Sequence, residues 1–103
     1  NAWAVINPPG ASNNMHNHPN SALSGAYYLQ APEQSGAITF RDPREQAAMI
    51  APPLAELTPW TFKTVRYQPM PGRLLIFPGW LLHAVEPNRS QSDRIVMSFN
   101  VQF

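Results

Sequence analysis

Apolar residues in this chain come in short runs rich in Val, Ile, Phe, Tyr and Leu, punctuated by Pro, Gly, Asn and Asp. No stretch sustains the 3.6-residue period of an amphipathic helix. The pattern predicts strands over Trp3 to Asn7, Asn14 to His18, Leu23 to Gln30 and Ala37 to Arg41. Four more are predicted over Thr61 to Tyr67, Arg73 to Phe77, Leu82 to Glu86 and Arg94 to Gln102. Turns fall at Pro8-Pro9-Gly10, Pro19-Asn20, Glu33 to Gly36, Pro69 to Gly72, Pro78-Gly79 and Pro87 to Asp93. Residues 42–59 break the rhythm around Pro52-Pro53 and read as an irregular surface excursion, with one helical turn at most, placed to act as a lid. Eight short antiparallel strands with no room for layered helices predict an all-β, two-sheet jelly roll whose loops surround a central cavity. An immunoglobulin-like sandwich has strands at similar spacing, but its Cys-Trp-Cys signature is absent and it gives the histidines no task.

The 103 residues amount to one domain, 1–103, with a single core. Seven Lys and Arg against six Asp and Glu give a formal charge of +1, and the basic residues do not cluster. That excludes the electrostatic footprint of a nucleic-acid or anionic-membrane binder. With no cysteine there is neither a disulfide framework nor a thiolate metal site, a composition compatible with the cytoplasm, which is the expected location. No apolar run approaches the ~20 residues of a membrane span, and the start lacks the regions of a signal peptide. The chain begins Asn-Ala-Trp and enters strand-like sequence at once, so it reads as a trimmed domain or as a fragment lacking N-terminal helices.

Three histidines are present, His16, His18 and His83. Residues i and i+2 of an extended strand share a face, so His16 and His18 are placed to share one metal ion, and His83 to close the site. Arg94 lies on a strand where alternation puts Arg94, Val96, Ser98 and Asn100 on one face. A cation facing the interior with Ser and Asn needs a partner, and its planar fork suits a carboxylate. The bland readings are a surface or core histidine in each case, and a solvated turn arginine after Asp93. Order, strand context and the downstream arginine together favour a mononuclear metal site beside an anion anchor. Asp42 is a rival ligand, better suited to opening the turn with Pro43. Trp3, Phe40, Phe77 and Phe99 are most simply core. Gly25 and Gly72 fit close backbone approach and a tight turn. Asn7 and Asn14 either face the cavity or cap turns, and exposed Trp60 or Trp80 would mark an interface.

Six segments carry a resemblance: His16-x-His18-Pro19-Asn20, Ser24-Gly25-Ala26-Tyr27-Tyr28-Leu29, Phe40-x-Asp42-Pro43-Arg44, Pro71 through Pro78, His83-x-Val85, and Arg94-x-x-x-Ser98-Phe99-Asn100. In this order they resemble the 2-oxoglutarate-dependent Fe(II) dioxygenases, in particular a bacterial and phage branch, with prolyl hydroxylases as more distant relatives. The resemblance spans nearly the whole chain. It implies a double-stranded β-helix, Fe(II), 2-oxoglutarate and dioxygen, with His16, His18 and His83 as metal ligands. It implies further that Arg94 takes the distal carboxylate of 2-oxoglutarate, with Tyr28 as hydrogen-bond donor and Ser98 as a hydroxyl helper.

One departure stands out. The superfamily usually has Asp or Glu where His18 stands, completing a triad of two histidines and one carboxylate. An imidazole there leaves the site one negative charge short, which weakens its hold on a hard divalent ion. The implied activity is hydroxylation of a small-molecule or peptide substrate by decarboxylation of 2-oxoglutarate. The alternatives are a three-histidine cupin-like metalloenzyme that binds its substrate directly, with Arg94 on a substrate carboxylate, and a jelly-roll binding module without catalysis.

Overall fold

The computed structural model describes residues 1–43 and 64–103. Eight strands occur among them: β1 (Ala2–Asn7), β2 (Asn13–His16), β3 (Ser21–Gln30), β4 (Ile38–Arg41), β5 (Thr64–Tyr67), β6 (Leu74–Pro78), β7 (His83–Val85) and β8 (Arg94–Gln102). Their positions follow the predicted runs closely. The excursion expected over 42–59 lies outside the described residues except for Asp42 and Pro43, as does the start of the strand expected from Thr61. Among the described residues no helix is long and apolar enough to cross a membrane.

The strands form two four-stranded antiparallel sheets, ordered β1-β8-β3-β6 and β2-β7-β4-β5. Apart from the β4–β5 step, each connection carries the chain from one sheet to the other. This is the all-β double-stranded β-helix, or jelly roll. Such a topology closes a space between the sheets without needing a helix to cap it.

Strand register decides which residues enter that space. In the first sheet Asn7 pairs with Arg94, Val5 with Val96 and Trp3 with Ser98, while Tyr28 pairs with Val96, Ala26 with Ser98 and Ser24 with Asn100. All of these side chains share the inner face, because neighbours in register point the same way. The outer face carries the alternate positions, and Ile6, Leu23, Tyr27, Leu29, Leu74, Ile76 and Val101 are all exposed there. This inverts the common arrangement, in which polar residues face solvent.

The apolar core is small and lies in two clusters. Ala26, Tyr28 and Val96 form one, Ile38, Phe40 and Phe77 the other, and Leu75 packs against both. Phe40 and Phe77 meet edge-on with ring centroids 4.9 Å apart. Two residues expected in the core behave differently. Trp3 is exposed and lines the cavity, because its register with Ser98 puts it on the inner face near the open end of the strand. Phe99 is half-buried on the other face of β8, where its ring lies across Gly25. A Cβ at residue 25 would overlap that ring, so the glycine is required by close approach. Gly72, with φ 82°, occupies the turn before β6, as its tight-turn reading requires.

Arg66 on β5 grips Glu86, just beyond β7, with two hydrogen bonds of 3.0 and 2.7 Å, and the Ala37 amide donates to the same carboxylate. The Arg66 fork, opposed by slight burial, holds the Glu86 carboxyl below its ordinary value of 4.5. Two outcomes follow. Gly25→Ala should cost about 1–3 kcal/mol through overpacking and lower the midpoint of thermal unfolding, read by circular dichroism, by roughly 5–20 °C. Because the unfolded chain protonates this carboxyl before the folded one does, its contribution is present above pH 4.5 and lost as the pH falls below it. Glu86→Gln should remove that part of the acid-side slope, with only a small, salt-sensitive loss of stability at neutral pH, since the pair is solvent-exposed.

Candidate metal centre and anion pocket

The three imidazoles meet at one end of the space between the sheets. His16 closes β2, and its cross-strand partner is His83 at the start of β7. Ring centroids are 4.3 Å apart for His16 and His83, 5.0 Å for His16 and His18, and 5.1 Å for His18 and His83. His18 lies past the end of β2 and not on it, which corrects the expected strand by two residues. The reason is local. The His18 amide donates to the Gly79 carbonyl at 2.7 Å, and Pro19 follows, so the backbone leaves the ladder before this residue. The ring still joins the other two because the turn is tied to the loop that leads into β7.

One ring nitrogen from each histidine lies within 4.8 Å of the others. Two nitrogens held ~2.1 Å from a single ion are at most ~4.2 Å apart, so the three rings converge to within a small adjustment of shared ligation. The Nδ1 of His16 lies 2.6 Å from the Asn14 carbonyl, and that of His83 lies 2.9 Å from the Leu81 carbonyl. A carbonyl only accepts, so Nδ1–H donates in each case and Nε2 keeps its lone pair for a metal. Among the described residues the His18 ring has no such carbonyl. Burial lowers the basicity of the His83 ring, opposed by the Leu81 bond and aided by its two histidine neighbours. Burial and then His16 do the same for His18. Both shifts favour the neutral ring, the form that ligates. Asp42 is not a member of the cluster.

A cavity of ≈ 530 Å³ runs from these rings between the sheets. Asn7, Asn14, Tyr28, Arg94 and Ser98 line it, so alternation correctly turned Arg94 and Ser98 inward, and both asparagines face the cavity. Arg94 is only 1 % exposed. Its Nη1 donates to the carbonyls of Ser35 at 2.8 Å and Gly36 at 3.0 Å, while its Nε is buried without a partner. Burial pulls the guanidinium below its usual basicity, partly offset by Tyr28, and the Tyr28 hydroxyl is pushed up by burial and pulled back by Arg94 and Arg73. No carboxylate pairs with Arg94 among the described residues. The Asn7 side-chain oxygen, next to Arg94 in register, is likewise buried and unpartnered. The unpartnered Arg94 Nε–H suits a ligand that brings a carboxylate, whereas the Asn7 oxygen is left for a donor.

Other contributors carried no signal in the sequence. Ser35 and Gly36 belong to a turn that reads as polar punctuation, yet their carbonyls orient the arginine. Asn88 is fully buried, donating to the Asn7 and Ser92 carbonyls and accepting from Ser90, and so fixes the end of β1 beside Arg94. Ser24 donates to the Asn100 side chain at 2.8 Å across the inner face. Trp80 is exposed, and Trp60 lies outside the described residues.

Comparison with solved structures finds the same architecture in a prolyl-4-hydroxylase from Pseudomonas putida, with a TM-score of 0.69 and 17% sequence identity. The similarity covers 99% of this chain and 51% of that one, so the chain spans about half the length of its structural relative. At that identity the likeness concerns the fold. No curated protein matches the sequence. A family model, described as "Putative 2OG-Fe(II) oxygenase", matches residues 1–100, and the chain therefore belongs to that family.

Proposed function

We propose that this domain is a 2-oxoglutarate- and Fe(II)-dependent dioxygenase that hydroxylates a small-molecule or peptide substrate. The observation that carries the reading is the pairing of two features in one cavity, a convergent three-histidine cluster and a buried arginine that has no carboxylate partner among the described residues. Family membership supports the same cofactor set.

In this reading His16, His18 and His83 hold the iron. Arg94 and Tyr28 bind the distal carboxylate of 2-oxoglutarate, and Ser98 adds a hydroxyl from the same face of β8. When bound, iron and 2-oxoglutarate supply the activation of dioxygen for oxidation of a C–H bond. The chain's own part is binding, orientation and exclusion of water. Asn14 and Leu81 orient two of the ligating rings through their carbonyls. Ser35 and Gly36 hold the guanidinium in place before any ligand arrives, which limits the entropy lost on binding. Ile38, Phe77 and Val85 line the cavity near His83 and keep that side apolar.

A second reading rests on His18. Its imidazole replaces a carboxylate in the usual ligand set, which also fits a three-histidine enzyme that coordinates its substrate directly and sets Arg94 against a substrate carboxylate.

Anaerobic addition of 2-oxoglutarate to the iron-loaded protein should produce a visible metal-to-ligand charge-transfer band, and admission of air should release succinate even without substrate. Absence of both would remove the proposal and favour the direct-coordination reading. His83→Ala should abolish stoichiometric metal binding, measured by elemental analysis after desalting. Arg94→Ala should weaken 2-oxoglutarate binding by roughly 100-fold, the scale for losing a charge-assisted pair. Tyr28→Phe should weaken it by roughly tenfold, both read by titration of the same band.

A further inference from the structure

Among the described residues, those lining the cavity include three imidazoles and one guanidinium but neither Asp nor Glu. Any divalent ion held by His16, His18 and His83 would therefore enter a partly enclosed space that already contains a buried cation, with no negative charge from these residues to compensate either. Neutral imidazole donates a lone pair and leaves the ion's formal charge intact. In a site screened from water, two uncompensated positive centres raise the cost of metal binding, and an anion that reaches both lowers it.

We propose that His18 makes metal retention conditional on a bound dianion, so that a divalent ion and a dicarboxylate bind this cavity as a strongly coupled pair, neither being held tightly alone. The inference rests on the dioxygenase reading for the identity of the dianion, 2-oxoglutarate. It goes beyond that reading by assigning the coupling to one residue. A dicarboxylate is matched to the cavity in charge and placement, with one anionic end toward the imidazoles and the other toward Arg94. The lone pairs of His16 and His83 are fixed by backbone carbonyls, whereas His18 stands on a turn held through Gly79, so His18 is the ligand position whose chemistry can change without disturbing the other two. An aspartate there would bring its own negative charge and make the ion's retention less dependent on the cosubstrate.

The test is calorimetric titration of the apo chain with Mn(II), a divalent probe that does not react with oxygen, in the absence and presence of saturating 2-oxoglutarate, corrected for chelation in solution. The wild type should bind Mn(II) at least about tenfold more tightly with 2-oxoglutarate. By thermodynamic reciprocity Mn(II) should tighten 2-oxoglutarate binding by the same factor. His18→Asp should bind Mn(II) more tightly without the cosubstrate and show a coupling at least about threefold smaller than the wild type's, the remainder being the part that direct ligation supplies. 2,2′-Bipyridine, a bidentate chelator that stays uncharged when it binds, should fail to reproduce the coupling in the wild type, which isolates charge from chelation and keeps the test open if the aspartate variant does not fold. Equal coupling in wild type and His18→Asp would overturn the inference while leaving the dioxygenase reading intact, whereas equal Mn(II) affinity with and without 2-oxoglutarate in the wild type would overturn both, because that reading has the cosubstrate ligate the metal. Failure to bind Mn(II) under every condition would overturn both.

Discussion

Withdrawing the Arg94 guanidinium from water is the constraint on which the rest of the cavity depends. A buried cation without a counter-ion is expensive, and the fold meets part of that cost with two backbone carbonyls from the turn before β4. The remainder is left to whatever enters the cavity. Asn7, pinned through its carbonyl by the buried Asn88, stands beside the arginine with its own side-chain oxygen unmet. The inner surface of the first sheet is thus an incomplete hydrogen-bonding system, and incompleteness of that kind in an otherwise well-formed fold points to binding.

The two layers divide the chemistry unevenly. The sheet β2-β7-β4-β5 supplies His16, His83 and Phe40, and Phe77 reaches across from β6 of the opposite sheet to pack against both Phe40 and the His83 ring. The sheet β1-β8-β3-β6 supplies the arginine, the tyrosine and the polar amides, while its other face is apolar and exposed. The histidine cluster and the buried arginine therefore come from opposite walls of the sandwich. Changes in how the walls pack through Leu75, which touches both core clusters, will be felt as a change in the distance between the two ends of the site.

Much of this was legible in the sequence. Strand positions follow from alternation and from proline and glycine punctuation, because a jelly roll is built from local runs whose ends are chemically marked. The face of β8 was readable for the same reason: one Arg among Val, Ser and Asn at alternate positions declares its side. Less was readable where tertiary contacts override local pattern. His18 leaves β2 because its amide finds Gly79, far along the chain. Trp3 and Phe99 looked like core from composition alone, but register gives one to the cavity and sets the other over Gly25. The supporting roles of Ser35, Gly36 and Asn88 are invisible without coordinates, since each acts through backbone carbonyls or from a turn that sequence alone marks only as polar.

The turn before β4 has a role that its distance from the histidines conceals. Gly36 adopts φ 99°, and a Cβ there would run into the Glu86 carbonyl, so the turn is wedged against the chain leaving β7, the strand that begins with His83. Its carbonyl also accepts from Arg94. One residue with no reactive group thus ties the posture of the guanidinium to the path of the strand that carries His83, so this turn behaves as a spacer that sets the distance between the arginine and that histidine.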